Sequence, residues 1–275
     1  MRELYINKVQ AWVKGVLPLC LFTFLPVLVA CDHIAEGDEL IYVPQEPAQR
    51  VVLLEDFTGQ RCVNCPKGAE VIEQLQQTYG DNIVAVGIHG GPLGFKGNAT
   101  TLGLATDLGD EYYNHWNLEY QPVGLVNRQG AVNYTDWTKS VRDELAKTSP
   151  VALDATATEH AGTVSIGVTA EGKDGTIVGK LQVWLTEDNI TDGQRMPDGV
   201  WNKEYVHNHV FRDAVNAAWG TDFSIKEGEQ KELTFTYTIA EDKDWQPANM
   251  HVVAFVYNDK GVEQVTTAKL NSELK

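Results

Sequence analysis

Four cysteines occur in 275 residues, at positions 20, 31, 62 and 65. Two of them, Cys62 and Cys65, stand two residues apart in "VVLLEDFTGQRCVNCPKGAEVIEQL". A disulfide across so short a loop removes little chain entropy from the unfolded state, so a structural staple explains the pair poorly. Structural zinc needs two further soft ligands, and neither CxxC nor CxxH recurs. What is left is redox chemistry or a relic of it. The pair follows an apolar run and precedes a helical pattern, which sets Cys62 at the first turn of the helix containing residues 66–79. Unpaired N–H groups and the helix dipole there favour a thiolate, and Arg61 adds a neighbouring positive charge. Cys65, a turn further in, is expected to be the more buried sulfur and the resolving partner.

The other two cysteines belong to the amino terminus. Arg2, Lys8 and Lys14 precede "GVLPLCLFTFLPVLVA", the layout of a secretory signal. "LVAC" follows, which resembles a bacterial lipobox and implies cleavage before a lipidated Cys31, Cys20 leaving with residues 1–30. An ordinary secretory signal is the alternative. Without residues 1–30 the count is 19 basic and 37 acidic, moving the formal charge from −16 to −18. That acidity argues against nucleic acid and against anionic lipid surfaces as partners. Residues 31–49, acidic and carrying Pro44 and Pro47, read as a tether.

The elements that would position the pair are α/β in residues 50–149. "RVVLLEDF" and "NIVAVGIH" are buried-strand runs. "PKGAEVIEQLQQTYG" places Ala69, Ile72, Leu75 and Tyr79 on one helical face. "TTLGLATDLGDEYYNHW" reads as helix, "PVGLVNRQG" as strand and turn, and "TDWTKSVRDELAK" as a helix capped by Thr135 or Asp136. From residue 150 onward the period becomes two, in "TVSIGVT", "IVGKLQVWLT", "ELTFTYTI", "MHVVAFVYN" and "VEQVTTAKL". This predicts a β-sandwich of the immunoglobulin or fibronectin kind over 150–275. Residues 197–222, with "YVHNHVFRDAVNAAWG", are expected to be a long loop with a short helix.

Residues 50–148 resemble the thioredoxin-like family. Asp56, six residues before Cys62, matches that family's buried aspartate, and Gln121-Pro122 falls where it carries a cis-proline facing the cysteines. The resemblance implies that Cys62 attacks, that Cys65 resolves with Asp56 as base, and that protein thiols or disulfides are the substrates. Arg61, Val63-Asn64 and Gln121 depart from the family's Trp, Gly-Pro and Thr. His89 would border the site, either tuning the thiolate or, as is commoner, serving as a loop histidine without a role. "HGGPLGFKG" lacks the ending of a phosphate loop, and no cofactor is expected. His207 and His209 would share a face if extended, but no third metal ligand is adjacent. Trp184, Trp201, Trp219 and Trp245 read as core, with a surface aromatic strip as the minority alternative.

The whole arrangement also resembles the twenty-eight-kilodalton outer-membrane-protein related lipoproteins of Gram-negative anaerobes. That implies an outer-membrane location, with Cys31 as the membrane anchor. Two functions follow as expectations: a tethered thiol–disulfide oxidoreductase, or a binding, adhesin-like lipoprotein that uses the first half as scaffold.

Overall fold

Two adjacent strands, β1 (Val52–Thr58) and β2 (Ile83–His89), are buried along their whole length. Strands covered on both faces read as unbroken apolar runs, which is why these two were visible in sequence. The computed structural model describes residues 46–272. The signal, Cys20, Cys31 and residues 31–45 of the tether lie outside the described residues.

β1 pairs parallel with β2 on one side and antiparallel with β3 (Val123–Val126) on the other, and β3 turns back into β4 (Ala131–Asn133). Alternate residues of β1 serve different layers. Val52 and Leu54 pack with α1 (Cys65–Tyr79) and α3 (Trp137–Leu145) through Ile72, Leu75, Trp137 and Val141. Leu53 and Phe57 face the layer of α2 (Asp107–His115), meeting Tyr112 and Tyr113. In α1 the buried face uses Gly68, whose missing side chain leaves room for the Trp137 ring, while Ala69 is exposed, against expectation.

The second half supplies β5 (Val151–His160), β6 (Thr163–Gly172), β7 (Thr176–Glu187), β8 (Ile190–Arg195), β9 (Trp201–His207), β10 (Val210–Ala214), β11 (Thr221–Lys226), β12 (Gln230–Thr238), β13 (Met250–Asn258) and β14 (Gly261–Lys269). One nine-stranded sheet runs through both halves in the order β14-β13-β7-β10-β2-β1-β3-β4, with β11 also on β7. β10 is the joint, pairing antiparallel with β7 and touching β2 at Val210 and Gly87. A second sheet, β12-β6-β5 with Asn271–Ser272 alongside, packs on the β7, β11 and β13 end through Val164, Ile166, Val168, Leu181 and Val252. The change of pattern near residue 150 therefore coincides with the start of β5, and one sheet layer continues across it. All described residues fall in one compact unit. The protein is β-rich with few helices.

Three local expectations are corrected. Residues 100–106 are not helical. α2 starts at Asp107, where Thr106 Oγ1 accepts from the Gly109 N–H, a side-chain cap. Residues 201–214 form strands β9 and β10 rather than a loop and helix, because pairing with β8, β7 and β2 overrides the helix-like spacing of "VFRDAVNAAW". Neither Thr135 nor Asp136 caps α3 through its side chain. A 3₁₀ turn, Tyr134–Asp136, enters the helix instead, held by Asn133 Oδ1 on the Thr135 N–H.

Candidate redox site

Cys62 and Cys65 form a disulfide with Cα atoms 5.4 Å apart, inside the range such a bond spans. Cys65 opens α1, and Cys62 lies in the turn before it, its N–H donating to Gly59 O at 3.0 Å. Cys62 thus precedes the helix rather than occupying its first turn. Both residues are buried, 1% and 3% exposed, so Cys65 is not the deeper of the two as expected. Arg61 turns its guanidinium over the Phe95 ring, 4.8 Å from the centroid.

The Gln121–Pro122 peptide bond is cis. Gln121 ties together the loops around the pair. Its amide donates to Thr58 O (2.6 Å) and Gly90 O (2.9 Å), and its Oε1 accepts from the Leu93 N–H (3.1 Å). A threonine could not span all three contacts, which gives the departure at this position a structural reason.

Asp56, Cys65, His89 and His207 line one cleft of about 440 Å³ between α1 and the β8–β9 hairpin. Asp56 is buried with Oδ1 unpartnered, and loss of solvent pushes its carboxyl up to about 8. His89 is a buried strand residue, not a loop histidine. Its ring meets His207 edge-on at 5.4 Å, and burial, with His207 and Arg212 nearby, holds it well below the ordinary imidazole range. Burial likewise lowers His207 to about 4. His209 lines the same cleft, its Nε2 3.2 Å from Gln76 Oε1 on α1 and its Nδ1 3.1 Å from Asp188 Oδ1, and with the chain turned at a φ of 57° the two histidines of "HNH" make separate contacts. Of the four tryptophans, Trp184 is fully buried in core, while Trp201, Trp219 and Trp245 are half-buried and apart from one another.

The pH dependence of stability should report on Asp56. With a folded pKa near 8 against an ordinary 3.8, its folded state keeps a proton that the unfolded state releases, so stability falls as pH rises between those values. His89 and His207, depressed when folded, act in the opposite sense and add stability as pH rises towards 6.5. His251 is lowered by burial too, and the gain from the three histidines ends only when the unfolded imidazoles have lost their protons, about one pH unit above 6.5, so Asp56 is isolated by comparison with its Asn variant. We expect the parent to lose about 1.5 kcal/mol relative to Asp56→Asn between pH 6.5 and 8 in urea melts. An equal loss in the variant would reject the assignment.

The hairpin was not legible as part of this site. Gln194 donates from Nε2 to Cys62 O at 2.9 Å, and Arg195 N–H to Gln60 O at 2.8 Å. Gln60, fully buried, donates to Gly193 O and accepts from the Leu104 N–H. The one available signal was the alternation of Tyr205 and His207 in "EYVHNHV", which fits a strand.

Among solved structures, HBP35 of Porphyromonas gingivalis matches with a TM-score of 0.63 at 16% identity, covering 81% of this chain and 76% of that one. At that identity the likeness speaks for the fold alone. A domain of the outer membrane lipoprotein Omp28 from Porphyromonas gingivalis matches at 24% identity over 46% of this chain and 92% of that one, with a TM-score of 0.35. No curated protein matches. Residues 109–274, more than half of the chain, match the family described as outer membrane protein Omp28. The chain therefore belongs to the Omp28 family, and its place is the outer membrane.

Proposed function

We propose that this outer-membrane protein is a lipid-anchored thiol–disulfide oxidoreductase, with Cys31 as the anchor and residues 50–149 as a thioredoxin-like unit joined to a β-sandwich of the immunoglobulin or fibronectin kind. The observation that carries it is the disulfide at the head of α1 beside a buried, protonated Asp56. The strand order β2-β1-β3-β4, the helices on both faces and the cis bond before Pro122 support the same reading. In the reduced protein the Cys62 thiolate attacks a substrate disulfide and releases one substrate thiolate. When Asp56 is ionised, its carboxylate takes the Cys65 thiol proton and the Cys65 sulfur attacks Cys62, restoring the Cys62–Cys65 bond and releasing the second substrate thiolate; a raised pKa near 8 makes that ionised form more basic and less populated at neutral pH. Two electrons pass to the substrate, and a dithiol or small thiol of the envelope must return them.

Cys65→Ser leaves Cys62 free to attack with nothing to resolve it, so mixed disulfides with envelope proteins should accumulate on nonreducing gels. Cys62→Ser should accumulate none. Equal absence in both variants would remove the redox reading.

One observation favours the second reading, a binding or adhesin-like protein with an inert pair. The disulfide is buried beneath the β8–β9 hairpin, so a substrate reaches it only if the hairpin lifts. If Cys62 stays unreactive towards iodoacetamide after reduction, that reading replaces the first.

A further inference from the structure

The cleft beside Cys65 has a chemical asymmetry that the redox reading does not use. Asp56, Glu70 and Glu73 line it, and no Lys or Arg is among its described lining. The three carboxyl groups act on Tyr205 across the cleft, and after burial they are what raises its phenol, to about 12. Glu70 and Glu73 are exposed on α1, and among the described residues Glu73 accepts a side-chain hydrogen bond from Gln77 along the same helix.

The floor makes a second, independent statement. Asp56 Oδ1, His89 Nδ1 and His207 Nε2 are buried polar atoms without a hydrogen-bond partner among the described residues, and all three residues line this cleft. Each buried group left unpaired costs roughly 1–3 kcal/mol, a cost that a polar partner recovers if the floor shifts to admit it. The hairpin wall is mixed, with Val206, 46% exposed, and Met196 standing among Gln194, Tyr205 and His207. A volume of about 440 Å³ exceeds what one small amine fills.

We infer that the cleft between α1 and the β8–β9 hairpin docks a segment of a partner protein that carries Lys or Arg side chains, its cations meeting Glu70 and Glu73, its backbone meeting the polar floor and its apolar groups meeting Val206. That the docked segment is the redox substrate rests on the oxidoreductase reading. The docking itself does not.

The test uses the oxidised full chain in detergent and a blocked hexapeptide, Gly-Lys-Leu-Ser-Lys-Gly, against its Glu-for-Lys counterpart. Neither peptide has a cysteine, so binding is read without redox turnover. The lysine peptide should bind roughly tenfold more tightly, as two partly exposed ion pairs allow, and salt should erode the difference. The preference should vanish in Glu70→Gln/Glu73→Gln and persist in Glu232→Gln, an exposed change on β12. Equal affinity for the two peptides, or an equal loss in Glu232→Gln, would overturn the groove in favour of net charge alone. Blocked lysine binding as tightly as the peptide would overturn a protein segment as the occupant. A chain that binds the lysine peptide yet traps no partner through Cys65→Ser keeps the groove and loses the oxidoreductase. One that traps partners without preferring lysine does the reverse.

Discussion

A chain ending at residue 150 is expected to show no cooperative unfolding transition, although its sequence contains every element around the cysteines. The reason is the layer between β1, β2 and the second half. Leu53, Phe57, Val86 and Ile88 are packed against Trp184, Phe211, Val253, Phe255, Val262 and Val265, all buried. Six large apolar partners at roughly 1.5–3 kcal/mol each amount to on the order of 10 kcal/mol. That matches the whole stability of an ordinary domain, about 5–15 kcal/mol. Polar ties are lost as well. The Val51 N–H donates to Gln264 Oε1 at 2.9 Å, and the Val262 N–H to Asn127 O at 2.9 Å. Truncation also uncovers the β2 edge that β10 meets. Circular dichroism on the 45–150 fragment decides it, since a sigmoidal melt would show that the first half stands alone.

Arg128→Met should cost roughly 3–5 kcal/mol, the usual penalty for stranding one charge of a buried pair. Arg128 holds Glu55 bidentately, Nε at 3.1 Å and Nη2 at 2.9 Å, with the two side chains 2% and 1% exposed. Its guanidinium also lies 4.3 Å from the Tyr257 ring centroid and 4.9 Å from that of Phe255, so the pair joins β1 to β13. Residue 128 has a φ of 58°, a strain that Met and Arg meet alike, so the change tests charge and packing rather than backbone. Glu55→Leu combined with Arg128→Met should recover most of the loss. Urea midpoints within about 1 kcal/mol of the parent for Arg128→Met alone would contradict this account.

What could be read from sequence was what is locally determined. β1 and β2 announced themselves as continuous apolar runs, β6 and β12 as alternation, and α1 as a 3.6-residue period ending near Gly80. Asp56 and the cysteines were found because their spacing carries chemistry within ten residues. The misses depend on distant partners. Nothing near His89 says that its ring will be buried against His207, and nothing near "VFRDA" says that it will bridge β7 and β2. Gln60 and Gln194 carry no pattern at all, because an amide's role is set by which carbonyls the fold brings to it.

The hydrogen bond from Gln194 to the Cys62 carbonyl spans 132 residues of chain. During synthesis and export the two thiols emerge long before the segment that will shelter them has been made. Once β8 and β9 settle, the Cys62–Cys65 disulfide lies next to the Gln194 side chain that holds the Cys62 carbonyl. The order of synthesis thus leaves the pair uncovered first, and its cover arrives only when residues 190–207 have been made.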